Sequence, residues 1–175
     1  MKDKCEYCDE AHGELPMDIA YKRPYHYFLI PEDEVEKRIR INDDLCVIDE
    51  EVCLIRGLLS VPVADSEREF KWGVWAVITK QDFARYLELW DVDYPDIEPF
   101  VGMLSCDPPG YEGILHAEVE IHIGKSSHRP QFRLRPIEHR MYEEQQAGIT
   151  LQRVHEIVRE ALPHLFKSGS VAADS

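Results

Sequence analysis

The sequence lacks the short motifs that identify several large enzyme classes. It contains no Gly-rich phosphate loop, no Gly-x-Ser-x-Gly elbow and no His-Glu-x-x-His pair. Long apolar runs are also missing, because no window approaches the ~20 apolar residues of a membrane-spanning helix. The first residues, MKDKCEYCDEAHGE, have no apolar core of the kind found in secretion signals. We therefore expect a cytoplasmic protein that does not associate with membranes, and the missing motifs favour a role other than catalysis.

Basic residues are few relative to acidic ones. The chain has 20 Lys and Arg against 34 Asp and Glu, which gives a formal net charge of −14. Such a surface repels nucleic-acid phosphates and anionic lipids, so neither is expected as a partner. Two interpretations stay open: the charge serves only solubility, or it attracts a protein partner with a basic surface.

The number of cysteines is odd, and this bears on the compartment. There are five, so they cannot all pair within one chain, and two of them form a Cys-x-x-Cys at Cys5 and Cys8. Free or metal-bound thiols are typical of a reducing compartment, which again favours the cytoplasm.

A candidate metal site lies at the amino-terminal end. Two residues between Cys5 and Cys8 allow both sulfurs to reach one tetrahedral ion, and His12 follows closely. Thiolate and imidazole ligands favour a structural zinc ion. These residues supply only part of a site, and the remaining donors could come from Cys46, Cys53, Cys106, His26 or His122. Free thiols are the alternative; a redox Cys-x-x-Cys fits poorly because that motif expects a preceding strand.

The stretch 70–90 indicates a strand followed by a helix. Phe70, Trp72, Val74, Ala76 and Ile78 alternate with a second, also apolar, set that contains Trp75, which predicts a strand buried on both faces. Thr79 then begins a helix, because Asp82 three residues later completes a capping-box-like start. A helical stripe of large apolar residues follows, formed by Phe83, Tyr86, Leu87 and Trp90.

Similar patterns along the chain predict an α+β fold. We expect a mainly antiparallel sheet of five or six strands, flanked by helices near residues 80–90 and 150–162, with the Cys-x-x-Cys knuckle against one edge. The predicted strands cover residues 45–48, 52–63, 70–78, 100–106, 114–123 and 131–135. Residues 17–30 read as an extended segment, 31–40 as a short helix and 136–148 as irregular. One domain is expected over residues 1–166, with 1–30 as its amino-terminal arm and 167–175 as a disordered tail.

Two further polar groups could carry chemistry. Alternation over residues 114–123 predicts four side chains on one face, namely His116, Glu118, Glu120 and His122. They could bind a metal or act as acid and base, or they could simply form the solvated face of a sheet. A basic patch follows at Arg133, Arg135, His139 and Arg140. It could bind a carboxylate or phosphate, or pair with surface acids.

Several segments together resemble the bacterial domain family of unknown function DUF2199. They are CEYCDEAHGELPMDIAY, INDDLCVID, FKWGVWAVIT, YLELW, PPGY, EIHI, RPQFRLRPIEH and EQQAGIT, and they occur over most of residues 5–160. The resemblance implies no assigned activity. It does imply an amino-terminal Cys-x-x-Cys with a following histidine, which Cys5, Cys8 and His12 match.

These observations predict a small zinc-stabilised protein that binds another protein and is not an enzyme. A sharper alternative is an immunity or antitoxin protein that neutralises a basic toxin through its acidic surface. A different alternative is a metal-dependent hydrolase that uses the face containing His116 and His122, which would need a concave pocket and an open metal position.

Overall fold

The computed structural model describes residues 5–8 and 13–166, which form an α+β structure around one mixed sheet. The sheet has eight strands. They are β1 (Asp18–Ala20), β2 (Ile39–Ile41), β3 (Leu45–Ile48), β4 (Val52–Val61), β5 (Phe70–Ile78), β6 (Phe100–Leu104), β7 (Glu118–His122) and β8 (Gln131–Leu134). The α-helices of the described part are α1 (Val35–Arg38), α2 (Lys80–Glu88), α3 (Arg140–Ala147) and α4 (Leu151–Ala161).

Five of the strands close into a barrel. The strands β4, β5, β6, β7 and β8 pair antiparallel in that order, and β8 then pairs with β4 in parallel at Leu58 and Gln131. The strands β3 and β2 extend the sheet beyond β4. The short β1 adds to β5 in parallel, with Ile19 opposite Trp72. Closure gives the barrel strands hydrogen-bonded neighbours, so the outer strands of the sheet are the short β1 and β2.

The central strand β5 is buried on both faces, as its sequence predicts. Phe70, Trp72, Val74, Ala76 and Ile78 belong to the main core inside the barrel. Trp75 points the other way and joins a second, smaller apolar cluster with Leu54 and Ile48 on the outer face. The indole N–H of Trp75 donates to the carbonyl oxygen of Tyr21 at 2.8 Å, so this large side chain has no unpaired donor.

Two helices begin where the sequence predicts. Thr79 accepts a hydrogen bond from the Asp82 amide at 3.0 Å and caps α2. Thr150 caps α4 by accepting from the Arg153 amide at 3.1 Å. Each threonine satisfies an amide that has no partner within the helix. The apolar stripe of α4 then packs on the barrel core through Val154, Ile157 and Val158.

Other predictions of the fold need correction. The sheet is mixed and has eight strands, whereas a mainly antiparallel sheet of five or six was expected. The segment 31–40 contains only short helical turns and ends in β2, because its apolar Ile39 packs against the outer cluster. The segment expected to be irregular contains α3, and residues 25–29 of the expected extended segment form a 3-10 helix.

Two other expectations concern the whole chain. The predicted disordered tail, 167–175, lies outside the described residues, and a single domain over 1–166 stays a prediction. Among the described residues, no helix has the length and apolar character needed to span a membrane.

Candidate metal centre

Cys5 and Cys8 sit in one tight turn at the amino-terminal end. The amide of Cys8 donates to the carbonyl oxygen of Cys5 at 3.4 Å, which folds the two cysteines toward each other. The amide of Tyr7 points at the sulfur of Cys5, with an N···Sγ distance of 3.4 Å. Both cysteines are partly exposed, so an ion can reach them.

His155 is brought to this turn by helix α4. It lies one helical turn after Leu151 on the buried stripe, and only 3% of its surface is exposed. Its ring centroid is 5.9 Å from that of Tyr7 and 5.1 Å from that of Phe166. The amino-terminal turn and helix α4 are therefore in contact through the rings of Tyr7 and His155.

Cys5, Cys8 and His155 converge on one point. Their candidate ligand atoms all lie within 4.8 Å of one another. A tetrahedral ion with bonds of about 2.0 to 2.3 Å holds its ligand atoms roughly 3.3 to 3.8 Å apart, so only a small contraction would form a site. Two sulfurs and one imidazole nitrogen suit zinc best among the common biological cations.

The sequence pointed to two of these three candidate residues. Cys5 and Cys8 lie together as expected. His12 lies outside the described residues, so its role as a ligand stays a prediction. His155 could not have been selected from spacing, since it follows Cys8 by 147 positions.

The other cysteines proposed as donors do not belong to this group. Cys46, Cys53 and Cys106 are buried in the protein. Burial raises the pKa of the Cys46 and Cys106 thiols to about 12, and it also raises the pKa of Cys53. These three residues are therefore neutral thiols that pack as small apolar side chains.

Comparison with known proteins gives a family and no activity. The model of the family described as "Uncharacterized protein conserved in bacteria (DUF2199)" matches residues 4–149. The chain belongs to this family. The matched region includes Cys5 and Cys8 and ends before α4, which carries His155. The comparisons with curated proteins and with solved structures found no match.

In this DUF2199 protein, three of the four polar residues expected on one strand face share that face. They are Glu118, Glu120 and His122, and His122 Nε2 lies 3.3 Å from Glu120 Oε2. His116 precedes β7 and has φ of +68°, so strand alternation does not apply to it. Glu118 and Glu120 both pair with Arg135. The Nη1···Oε2 distance to Glu118 is 3.5 Å, and the Nε···Oε1 distance to Glu120 is 3.7 Å. Within the described ranges, the group of three or more possible metal ligands is the one at Cys5, Cys8 and His155. Among the described residues, this face therefore holds no group of three candidate metal ligands.

The basic patch of this DUF2199 protein is also divided among separate partners. Arg135 faces the acids of β7, and Arg140 pairs with Glu144 at 2.9 Å. His139 caps α3, where its Nδ1 accepts from the Met141 amide at 3.0 Å. These contacts favour the interpretation in which the patch pairs with acids of its own chain.

A buried polar cluster in this DUF2199 protein was not expected from the sequence. Glu144 on α3 pairs with Arg153 on α4, with an Nε···Oε1 distance of 2.7 Å, and also accepts from the Tyr111 hydroxyl. Only 12% of the Glu144 side chain and 13% of the Arg153 side chain are exposed. Burial, followed by the hydrogen bond to Glu144, raises the pKa of Tyr111 well above its usual value. The cluster joins α3, α4 and the loop before β7, so its role is structural.

Proposed function

We propose that this DUF2199 protein is a zinc-stabilised binding protein and not an enzyme. The convergence of Cys5, Cys8 and His155 carries the proposal. An ion bound there would connect the amino-terminal turn to helix α4, which packs on the barrel core. The free energy of ion binding would then contribute directly to the stability of the folded chain.

The surroundings of His155 support a structural ion over a catalytic one. Structural zinc ions are enclosed by four protein ligands, whereas catalytic ones keep an open position. His155 is almost fully buried, and the rings of Tyr7 and Phe166 contact it. His12 is the residue that the sequence predicts for a further position.

The partner we propose is a protein with a basic surface. A basic toxin that is neutralised by an immunity or antitoxin protein would be such a partner. The support is the net charge of −14. A strongly acidic surface accelerates the association of a basic partner through long-range attraction.

Metal content tests the zinc proposal. Wild-type protein purified in reducing buffer without chelator is expected to contain one zinc ion per chain by elemental analysis. Cys5→Ser, Cys8→Ser and His155→Ala are each expected to lose most of it, because each removes a ligand. His164→Ala is the matched control, since this exposed histidine lies near α4 but outside the ligand group. Wild-type protein without zinc, or His155→Ala with full zinc, would contradict the proposal.

The salt dependence of association tests the partner proposal. A basic protein that co-purifies with this chain is expected to associate more slowly as ionic strength rises, because salt screens the attraction of opposite charges. Stopped-flow measurements at several salt concentrations give the association rate. A rate that does not change with salt would show that the acidic surface does not recruit the partner.

A further inference from the structure

The rings of two further histidines, His26 and His116, lie close together. Their centroids are 5.5 Å apart, and the ring planes are tilted by 54°. With metal–nitrogen bonds of about 2.1 Å, a tetrahedral ion places two imidazole centroids roughly 5 Å apart. The observed centroid separation is close to that value. His26 is partly exposed and His116 is exposed, so an ion can reach them.

Ser105 fixes the orientation of the His26 ring. The Nδ1 atom of His26 lies 2.6 Å from the hydroxyl of Ser105, which is completely buried. Two backbone hydrogen bonds of 2.8 Å hold Ser105 in place. Its amide donates to the carbonyl oxygen of Trp75, and its carbonyl oxygen accepts from the amide of Tyr25. With Nδ1 engaged, Nε2 is the nitrogen that can bind a ligand. A second hydrogen bond of this kind is typical of metal-binding histidines.

The backbone holds His116 in an uncommon conformation. Its φ of +68° lies in the left-handed region, which non-glycine residues seldom adopt. Its amide donates to the Leu104 carbonyl oxygen at 2.9 Å, which fixes that conformation. The Tyr25 ring stands edge-on to both imidazoles, at 6.1 Å from His26 and 6.4 Å from His116.

Ser105 and His26 are in direct hydrogen-bond contact. A Ser–His hydrogen bond can also occur in hydrolases, but the complete burial of Ser105 keeps its hydroxyl away from any substrate. Its role here is to position His26.

We propose that His26 and His116 form a second metal site, for a borderline divalent cation such as Zn²⁺ or Cu²⁺. Imidazole nitrogens suit these ions, and Cu²⁺ binds most tightly in the divalent series. Two protein ligands leave positions for water or for a donor from another molecule. The site is independent of the proposed zinc site at Cys5, Cys8 and His155, since it shares no residue with it.

Titration of a variant without the first site tests the proposal. In Cys5→Ser/Cys8→Ser protein, calorimetry with CuCl₂ and with ZnCl₂ is expected to show one equivalent bound at the histidine pair. His26→Ala and His116→Ala are each expected to abolish that binding. Ser105→Ala is expected to weaken it roughly tenfold, as for other residues that orient a ligand. His128→Ala is the control, because this exposed histidine bonds only within its own loop.

Spectroscopy decides which atoms bind the ion. Electron paramagnetic resonance of the Cu²⁺ complex is expected to show coupling to two imidazole nitrogens, and to one or none after either substitution. If the cysteine variant does not fold, wild-type protein with its first equivalent of zinc already bound is titrated for a second one. Copper binding that survives His26→Ala and His116→Ala unchanged, or that falls equally in His128→Ala, would overturn the proposal.

Discussion

Glu144→Ala is expected to lower the free energy of unfolding by about 3 to 5 kcal/mol, the usual cost of breaking a buried ion pair. The substitution removes the carboxylate that Arg140, Arg153 and Tyr111 share. Arg153 is only 13% exposed, so its charge would remain largely buried with one partner fewer. Urea denaturation monitored by circular dichroism measures the change, and the midpoint should fall with little change in slope.

Glu143→Ala is the matched control for this substitution. Glu143 neighbours Glu144 on the same helix but is exposed, so its loss should change stability by no more than about 0.5 kcal/mol. Tyr111→Phe keeps the aromatic contacts and removes two hydrogen bonds, one to Glu144 and one from Arg153, and we expect a cost of about 1 to 3 kcal/mol. Equal stabilities for Glu144→Ala and Glu143→Ala would show that the cluster does not stabilise the packing of α3 on α4.

Gly57→Val is expected to destabilise the protein by about 3 kcal/mol, at the upper end of overpacking effects. A Cβ atom at this position would lie 2.2 Å from the ring of Phe132, which is far inside van der Waals contact. Gly57 is on β4 and Phe132 is on β8, so the missing side chain lets the ring fill the interior where the barrel closes. Thermal unfolding of the variant gives the loss in stability.

A second substitution separates overpacking from a general loss of stability. Phe132→Leu in the Gly57→Val background should restore part of the lost stability, because the shorter side chain makes room for the valine. Gly13→Ala is the control, since no heavy atom of the described residues, chain neighbours aside, lies within 4 Å of the position of its added Cβ. The double variant could instead lose more stability than the two single variants lose when their losses are added. That result would contradict a close contact between position 57 and Phe132.

The elements with strong local signals could be predicted from the sequence. The strand β5 has apolar residues on both faces, which only a strand covered on both sides can bury. Helices α2 and α4 combine a capping threonine with a periodic apolar stripe, and both begin at that threonine. These features depend on neighbouring residues, so the sequence alone contains the information that determines them.

The features that could not be predicted depend on contacts distant in sequence. The parallel pairing of β1 with β5 joins residues about 50 positions apart, and no turn between them marks it. Helix α3 has little apolar periodicity and is held instead by Glu144 and by the His139 cap. The position of His155 beside Cys5 and Cys8 likewise results from tertiary packing, as does the pairing of His26 with His116.

Barrel closure has a consequence for how this chain is synthesised. The closing contact joins Leu58 to Gln131, which is 131 − 58 = 73 positions later. During translation, β4 and β5 leave the ribosome long before β8 exists, so the part of β4 around Leu58 stays without its β8 partner. An unpaired strand edge can pair with other chains. We therefore expect the nascent chain to be most prone to association between the synthesis of β5 and that of β8.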